Sequence, residues 1–597
     1  MQALKVLGTF WRPLIIFSLL FRLLTFLVLA PLTTFAITSL VHSSGHLTLT
    51  NSDIAGFLLS VPGGLLLVLF LVTFVASFFI EQGGYMLLVQ SARAGYGTHL
   101  AQLFFELAQA LPRLLMTAFW VIAIVLAWLV PIFAAAGFGY VTLLGAHDIN
   151  WYLAQRPPEF LTAVAFGGVL AVCALALTSF LVVRWSLAVP VSFYEGVKGK
   201  NALKRSSELV RGNAHRVAAA VLGWLTLMTL IAGLGAIISD VFAGGLLNLI
   251  TKVNVLVVLM ALLVGVATLL SFAMTFVSFS GYAVITQILY EDLGGQGVPK
   301  VHKSTAATPV RFGYGAAGLA LLAGVAISWF VIDGLVDDLT LSRDVQITAH
   351  RGSSASAPEN TLSALRQAIS DGADYAEIDV QETADGEIVL LHDSDLLRVA
   401  GVPDKIWETK LKRLAQLEAG AWFSEEFRGE PIPTLKQAID LVRGKIRLNI
   451  ELKYNGHDKE LARRVVDIVR AEKFVSESFI ASLEAGSLAQ VHELAPEIKT
   501  GQIVTAAIGK PENLPVQILS MNKTLASSIQ VRRNRAAHRE THVWTINSTQ
   551  EMLTMLDRGV DNIITDHPKQ LKTILDERAK LSNLEILLLA LSRKVRE

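Results

Sequence analysis

The strongest constraint on the fold of this chain is a series of long apolar stretches, all of which lie before residue 337. A membrane-spanning helix needs about 20 predominantly apolar residues. Stretches of that length or more occupy residues 14–41, 54–80, 115–145, 161–192, 217–238, 254–286 and 313–335. Hydrophobic residues make up 53% of the chain and charged residues 17%, and the apolar excess falls almost wholly in this first part. We therefore predict a transmembrane helical domain of about seven spans over 1–337, followed by a soluble domain.

Lys and Arg are distributed unevenly among the loops between these stretches. The loop 42–53 has neither, and the loops 146–160 and 239–253 have only Arg156 and Lys252. The loops 193–216 and 287–312 are by contrast rich in them and carry Lys198, Lys200, Lys204, Arg205, Arg211, Arg216, Lys300, Lys303 and Arg311. Short loops rich in Lys and Arg stay in the cytoplasm. The alternation predicts a cytoplasmic N-terminus and, with an odd number of spans, a soluble domain on the outer side of the membrane.

Two other features of the membrane part bear on its packing. Arg22 lies within the first apolar stretch, where its side chain could either extend to the interface or face the bundle interior. The segment 81–112 contains the amphipathic sequence QLFFELAQAL, which predicts a helix lying along the membrane surface. The net charge of the whole chain is +1, so charge gives no reason to expect nucleic acid as a partner.

From Val345 onward the sequence changes to short β-rich runs separated by helical stretches. Strands are predicted at 346–350, 375–380, 387–392, 447–452, 478–482, 542–546 and 562–566, and helices at 361–370, 434–443, 458–472 and 549–557. The region 499–541 gives no clear pattern. Strands that alternate with helices imply a parallel sheet, and about 240 residues suit a (β/α)₈ TIM barrel. We predict an α/β TIM barrel over 338–576 and an amphipathic C-terminal helix over 577–597.

Three acidic residues lie on predicted strands of this barrel. Glu377 and Asp379 alternate along one strand, so they point to the same face, and Glu451 lies near the end of another. Carboxylates in a barrel mouth are costly unless they are paired or bind a metal. Oxygen ligands of this kind favour Ca²⁺ or Mg²⁺. The alternative is a salt-bridge network of the three carboxylates with Arg351 and Lys453.

The same strand ends carry two histidines and two cationic side chains. His350 and His392 are candidates for the general acid and base, because imidazole exchanges a proton near neutral pH. Arg351 can hold a phosphate through its planar guanidinium, and Lys453 supplies a compact positive charge. Together with one metal ion, these groups suit a phosphodiester substrate.

The soluble region resembles the glycerophosphodiester phosphodiesterase family. The similarity rests on AHRGSSASAPENTLSAL, GADYAEIDVQETADGEIVLLHD, PIPTLKQAI, LNIELK, HVWTIN and IITDHP, in that order over 346–568. The residues before it resemble the membrane domain that precedes this barrel in some bacterial members, most clearly in FYEGVKGKNALKRSSELVRGNAHR. That similarity implies a multi-pass protein of a bacterial inner or plasma membrane, with the catalytic domain in the periplasm or outside the cell.

The resemblance implies a TIM barrel and a role for each candidate residue. It implies His350 and His392 as the acid and base, Glu377, Asp379 and Glu451 as ligands of a divalent cation, and Arg351 and Lys453 as phosphate contacts. It also implies Glu359, Asn360 and Trp544 as residues of the substrate pocket. The chain has Ser482-Leu483 where the family usually has Ser-Phe, and its segment after His392-Asp393 is slightly shorter. Both differences affect the expected pocket for the alcohol.

The activity implied is hydrolysis of glycerophosphodiesters to glycerol 3-phosphate and an alcohol. Attack of a substrate hydroxyl on phosphorus gives a cyclic phosphate, which water then opens. Attachment to a membrane also suits a lysophospholipid substrate or a glycerophosphate polymer of the cell envelope. A hypothesis of another class is a transporter or receptor in which the barrel is a sensor, although the spans contain few charged residues.

Overall fold

The computed structural model describes residues 2–44, 48–93, 100–247, 253–296, 344–582, 585, 586 and 590. The chain divides into two compact units. The helical unit comprises Met1–Leu40, Leu58–Gly139 and Val164–Val331. The barrel unit comprises Val41–Phe57, Tyr140–Ala163 and Ile332–Glu597. Two short segments from between the apolar helices therefore belong to the same unit as the barrel.

Ten helices are described before residue 297. They are α1 (Gln2–Ser43), α2 (Ser52–Leu59), α3 (Val61–Arg93), α4 (Leu100–Leu144), α5 (Ile149–Gln155), α6 (Pro158–Trp185), α7 (Ala188–Tyr194), α8 (Lys200–Val210), α9 (Ala214–Leu247) and α10 (Val253–Asp292). Among the described residues, six helical stretches are long and apolar enough to cross a membrane. Large apolar side chains such as Phe26 and Phe133 are exposed along them, as expected of helices that face lipid. The chain is therefore a multi-pass membrane protein.

Each of the first six predicted spans overlaps one of these stretches, whereas the predicted span 313–335 lies outside the described residues. The predicted surface helix over 81–112 is wrong. Helix α3 continues to Arg93 with residues 81–91 buried, and QLFFELAQAL forms the beginning of α4. The apolar face of that segment packs against other helices, so its amphipathic pattern reflects packing in the bundle.

Arg22 faces the interior of the helical unit. Its guanidinium lies 3.3 Å from the carboxylate of Glu81, which is buried and also accepts a hydrogen bond from the hydroxyl of Tyr85 at 3.0 Å. Pairing of this kind lowers the cost of placing a charge among apolar helices. Of the two positions open to Arg22 from the sequence, the structure has the interior one.

Eight parallel strands form a closed barrel in the barrel unit. They are β2 (Gln346–Ala349), β3 (Tyr375–Glu382), β5 (Arg447–Leu452), β6 (Ser478–Ser482), β7 (Lys499–Val504), β9 (Ile518–Asn522), β10 (Glu540–Trp544) and β11 (Asn562–Thr565). Each pairs with the next in chain order, and β11 pairs with β2 to close the ring. The predicted TIM barrel is confirmed.

The barrel unit contains further helices, most of which surround the barrel and bury its outer face. They are α11 (Leu362–Ser370), α12 (Leu397–Ala400), α13 (Leu411–Leu414), α14 (Leu435–Val442), α15 (Leu461–Ala471), α16 (Ala485–Leu494), α17 (Ser528–Ala536), α18 (Thr549–Arg558) and α19 (Pro568–Arg578). Several begin with a side-chain cap, and α14 has a full capping box formed by Thr434 and Gln437. The core between helices and strands is built from Leu, Ile, Val and Ala, including Leu365, Ile450 and Val465. This packing holds the carboxyl ends of the strands, and the side chains that follow them, in fixed positions.

The strand prediction over 387–392 needs correction. Strand β4 is only Ile388–Leu390, and it pairs antiparallel with β3 as a hairpin instead of joining the barrel. The two barrel strands β7 and β9 lie in the region 499–541, for which no strand was predicted. Two further short strands lie outside the barrel: β1 (Thr48–Thr50) pairs antiparallel with β8 (Ala507–Gly509). Most of the predicted C-terminal helix after α19 lies outside the described residues.

Candidate active site

The three acidic residues predicted to bind a metal lie together in the structure. Strand β3 carries Glu377 and Asp379, and the register of β3 against β5 pairs Asp379 with Glu451. All three are buried, and one carboxylate oxygen from each lies within 4.8 Å of the others. Burial and the negative charge of Asp379 raise the pKa of Glu377 to about 8. Crowded, buried carboxylate oxygens that lack sufficient positive charge fit a hard divalent cation.

Part of the alternative salt-bridge network is also present. Lys453 Nζ lies 2.6 Å from Glu451 Oε1 and 3.3 Å from Asp379 Oδ1. Burial alone would raise the pKa of Asp379, but the charges of Lys453 and His392 outweigh it and lower that pKa. Among the described residues Glu377 has no salt-bridge partner, and its carboxylate accepts only the backbone N–H of Arg351, at 2.6 Å. The network therefore leaves one carboxylate uncompensated.

The two histidines are each held by an aspartate through Nδ1. His350 Nδ1 lies 2.6 Å from Asp566 Oδ1, and His392 Nδ1 lies 2.9 Å from Asp393 Oδ1. Burial by itself would lower the pKa of His350, but the bond to Asp566 and the charge of Glu377 outweigh it and raise that pKa. Both imidazoles line one cavity. A carboxylate on Nδ1 fixes the ring and leaves Nε2 as the nitrogen that can exchange a proton with a substrate.

A network of arginines and carboxylates holds Asp393, the residue that binds Nδ1 of His392. The guanidinium of Arg398 donates to both oxygens of Asp393, at 2.6 and 3.1 Å, and to both oxygens of Glu359, at 2.9 and 2.7 Å. Arg351 Nη1 also donates to Glu359, at 2.9 Å. Burial opposes the ionisation of Glu359, but the bond to Arg398 and the charge of Arg351 outweigh it and lower its pKa. Glu359 therefore connects Arg351 to the group that orients His392.

Asn360 contacts a predicted metal ligand and does not line the cavity. Its Nδ2 donates to Asp379 Oδ2 at 2.8 Å, and its Oδ1 accepts from the backbone N–H of Asp379 at 3.0 Å. The residue has a φ of 56°, a left-handed conformation that Asn adopts more readily than most residues. Glu359 and Asn360, both expected in the substrate pocket, thus lie behind it, where they position Arg351 and Asp379. Trp544 does line the cavity, and its Nε1 donates to the carbonyl of Ser520 at 2.9 Å.

The cavity has a volume of about 220 Å³ and two kinds of wall. Its polar wall contains His350, Arg351, Glu377, His392, Asn449, Glu451 and Lys453. Its apolar wall contains Leu483, Ile503, Trp544 and Ile564. Ligand pockets for drug-sized molecules usually measure about 300–1,000 Å³, so this cavity suits a small polar group, with any larger part of a ligand at its rim.

Several residues at this site were missed from the sequence. Asp566 directly follows β11 within IITDHP, and this position after a barrel strand was a signal that could have identified it. Residues from between the apolar helices gave no such signal. Asn150 Nδ2 lies 3.4 Å from His392 Nδ1 and donates to Asp148 Oδ1 at 2.8 Å. His147 Nδ1 lies 3.1 Å from Asp395 Oδ2, so the segment 146–152 contacts the barrel next to His392.

Two imidazoles with fixed Nδ1 atoms, next to cationic side chains and buried carboxylates, can move protons beside a bound phosphate. At the mouth of a (β/α)₈ barrel, this arrangement defines the class of barrel phosphodiesterases. Residues 350–570 match the glycerophosphoryl diester phosphodiesterase family, and residues 1–321 match the membrane domain of glycerophosphoryl diester phosphodiesterase. The chain belongs to the glycerophosphodiester phosphodiesterase family and is an enzyme of that activity. The resemblance predicted from the sequence is confirmed.

Similar proteins from bacteria cover the barrel. A glycerophosphodiester phosphodiesterase of Caldanaerobacter subterraneus is 32% identical over 235 residues, which are 38% of this chain and 95% of that protein. One of Bacillus altitudinis is 31% identical over 246 residues, which are 39% of this chain and 98% of that protein. A structure of an Oleispira antarctica phosphodiesterase with its product sn-glycerol-3-phosphate is 31% identical, covers 40% of this chain and 99% of that one, and has a TM-score of 0.37.

Proposed function

We propose that this membrane-anchored enzyme uses a divalent cation to cleave glycerophosphodiesters into glycerol 3-phosphate and an alcohol. The observation that supports this most is the pair of imidazoles, each with Nδ1 held by a carboxylate, in one cavity with Lys453 and Arg351. That arrangement leaves one nitrogen on each ring for proton transfer. The two proton transfers that a phosphodiester cleavage requires can then be assigned to two separate residues.

Glu377, Asp379 and Glu451 would hold the cation, which is Mg²⁺ or Ca²⁺ by the oxygen-only ligand set. When bound, it supplies positive charge to a phosphate oxygen and lowers the pKa of a nearby hydroxyl. Asn360 would keep Asp379 in place through its two hydrogen bonds. The uncompensated, buried carboxylate of Glu377 favours a bound cation over a purely structural role for the cluster.

His350 and His392 would act as the base and the acid. One accepts the proton of the glycerol hydroxyl next to the phosphate as that oxygen attacks phosphorus, and the other donates a proton to the departing alcohol oxygen. A cyclic phosphate results, and the reverse transfers let water open it to glycerol 3-phosphate. Arg351 and Lys453 would balance the charge that develops on the phosphate oxygens.

This proposal can be tested with His350→Ala and His392→Ala in the full-length, detergent-solubilised enzyme. Glycerol 3-phosphate release from glycerophosphocholine should fall by about 10²–10⁴ in each variant. Removal of cations with a chelator should abolish the release, and Mg²⁺ or Ca²⁺ should restore it. Unchanged release after either substitution, or after chelation, would reject the corresponding role. The matched control is His567→Ala, because His567 follows Asp566 but does not line the cavity.

We also propose that the barrel lies on the side of the membrane opposite the N-terminus. Two segments of the barrel unit, 41–57 and 140–163, lie around the ends of the first and third apolar stretches. Loops that follow odd-numbered spans lie opposite the N-terminus, and the Lys- and Arg-rich loop 193–216, which follows the fourth span, lies on the N-terminal side. This arrangement requires an odd number of crossings between Asp292 and the barrel, as the predicted span 313–335 would provide.

A membrane-impermeant maleimide would test this orientation in intact cells. In a Cys173→Ser background, single cysteines replace Lys410 on the barrel and Lys198 in the basic loop, both of which are exposed. We expect the cysteine at position 410 to be labelled in intact cells and the one at position 198 only after lysis. Labelling at position 198 in intact cells, or labelling at position 410 only after lysis, would contradict the proposed topology.

A further inference from the structure

The connection between β7 and β9 pairs with a strand from a distant part of the chain. Strand β8, within that connection, pairs with β1, with Thr48 opposite Gly509 and Thr50 opposite Ala507. Thr48 Oγ1 also donates to the carbonyl of Lys510 at 2.8 Å. An isolated two-stranded ribbon is marginally stable, so its position depends on the contacts at its ends.

Asn51, directly after β1, makes those contacts with both ends of its amide. Its Nδ2 donates to the carbonyls of Ile503, at 2.6 Å, and of Leu483, at 3.0 Å. Its Oδ1 accepts from the backbone N–H and the hydroxyl of Thr505, both at 2.8 Å. The side chain of Asn51 therefore connects three backbone positions: Leu483 after β6, Ile503 near the end of β7, and Thr505 in the segment that leads to β8.

All three residues that Asn51 holds border the catalytic cavity. Leu483 and Ile503 belong to an apolar cluster that also contains Trp544, and these side chains form most of the apolar wall. Leu483 is the position at which this chain differs from the Ser-Phe usual in the family. The shape of the apolar wall is thus set by backbone positions that Asn51 fixes, whereas none of the charged or imidazole side chains of the polar wall is among its hydrogen-bond partners.

We propose that Asn51 is a positioning residue that determines which alcohol the enzyme accepts. The polar wall binds the phosphate and the glycerol hydroxyls, so the alcohol group of the substrate contacts Leu483 and Ile503. The preferred substrates are then glycerophosphodiesters whose alcohol presents an apolar surface to this wall. The inference rests on the proposed function, because it assumes that the polar wall binds the phosphate.

The test measures kcat/KM for two synthetic esters, in the unmodified full-length enzyme and in its Asn51→Gly variant. Asn51 has a φ of 51°, so glycine removes the amide without adding backbone strain. The butyl ester of glycerol 3-phosphate reaches the apolar wall, and the methyl ester does not. In the variant, kcat/KM for the butyl ester should fall by about tenfold or more, the scale set by apolar pocket contacts, and that for the methyl ester by less than about twofold.

Two further variants separate this effect from a general loss of structure. Lys473→Gly changes a different left-handed residue, which is exposed, has a φ of 55° and lies away from the cavity, and it should leave the hydrolysis of both esters unaffected. Asn51→Asp keeps the oxygen that accepts from Thr505 but places a carboxylate against two carbonyls, so it should reproduce the selective loss even if the glycine variant fails to fold.

Equal losses for the two esters, or no loss for either, would overturn the role of Asn51. If the unmodified enzyme hydrolysed neither ester, the proposed function itself would be overturned.

Discussion

Asp566 Oδ1 lies 2.6 Å from Nδ1 of His350, at the point where the last barrel strand meets the first. The same oxygen accepts a hydrogen bond from Ser354 Oγ at 2.9 Å, and Oδ2 accepts from Asn547 Nδ2 at 2.5 Å. These bonds fix the carboxylate, and the carboxylate in turn fixes the ring. The catalytic role proposed for His350 therefore depends on a residue from the opposite end of the barrel sequence.

Replacing Asp566 with Asn should lower kcat by about tenfold to a hundredfold, the effect usual for a partner that orients a functional histidine. The bond to Asp566 raises the pKa of His350, so its loss should also move the limb of the pH–rate profile that reports His350 to lower pH. Steady-state rates from pH 5 to 9 would measure both changes. Asp576→Asn removes an exposed carboxylate on α19 and serves as the control, and an identical profile for both variants would contradict the prediction.

Metal binding should compete with protonation of Glu377. Its pKa is raised to about 8, so near pH 7 and without a cation the carboxyl is mainly protonated, and a bound cation must displace that proton. The affinity for Mg²⁺ should rise with pH up to about 8 and then level off. Calorimetric titrations in buffers of different ionisation enthalpy would detect the released proton. Glu377→Gln should bind Mg²⁺ more weakly and release no proton, and a pH-independent affinity in the unmodified enzyme would refute this.

Removal of Asn360 should weaken metal binding through Asp379. Its side chain makes two hydrogen bonds to that residue, and outer partners of metal ligands usually contribute about 10- to 100-fold in affinity or activity. Asn360→Gly removes the bonds without backbone strain, because glycine adopts a φ of 56° freely. We expect the Mg²⁺ concentration for half-maximal activity to rise by that factor, with maximal activity largely restored at saturating Mg²⁺. An unchanged requirement would show that Asp379 is held by other contacts.

Substitution of Lys453 would show whether this residue binds the phosphate or serves only as a structural salt bridge. Its ammonium neutralises Asp379 and Glu451, so Lys453→Met should leave metal affinity unchanged or tighter, because more negative charge remains around the ion. Turnover should nevertheless fall by roughly 10²–10³, as when a charge-stabilising donor is removed. Parallel measurements of Mg²⁺ affinity and kcat distinguish the two roles. A loss of metal affinity that matches the loss of turnover would identify Lys453 as structural.

Local patterns in the sequence identified most of the barrel and most of the polar side chains that line its cavity. The alternation of Glu377 and Asp379 gave their common face correctly, since side-chain direction along a strand depends only on spacing. The strand predicted at 387–392 was expected in the parallel sheet, because an apolar run does not reveal whether it pairs parallel or antiparallel. The contacts of Asn51 with Leu483 and Ile503 span 432 and 452 residues, and no local pattern encodes such a pairing.

The pairing of β1 with β8 also changes what can be cut from this protein. A fragment that begins just before β2 would contain all eight barrel strands and every proposed catalytic side chain. It would lack Thr48–Thr50 and Asn51, however, so the backbone edges of β8 and the carbonyls of Leu483 and Ile503 would be left to solvent. By the role proposed for Asn51, we expect such a truncated enzyme to lose its native choice of substrate, so inhibitors selected against it would be fitted to a cavity of a different shape.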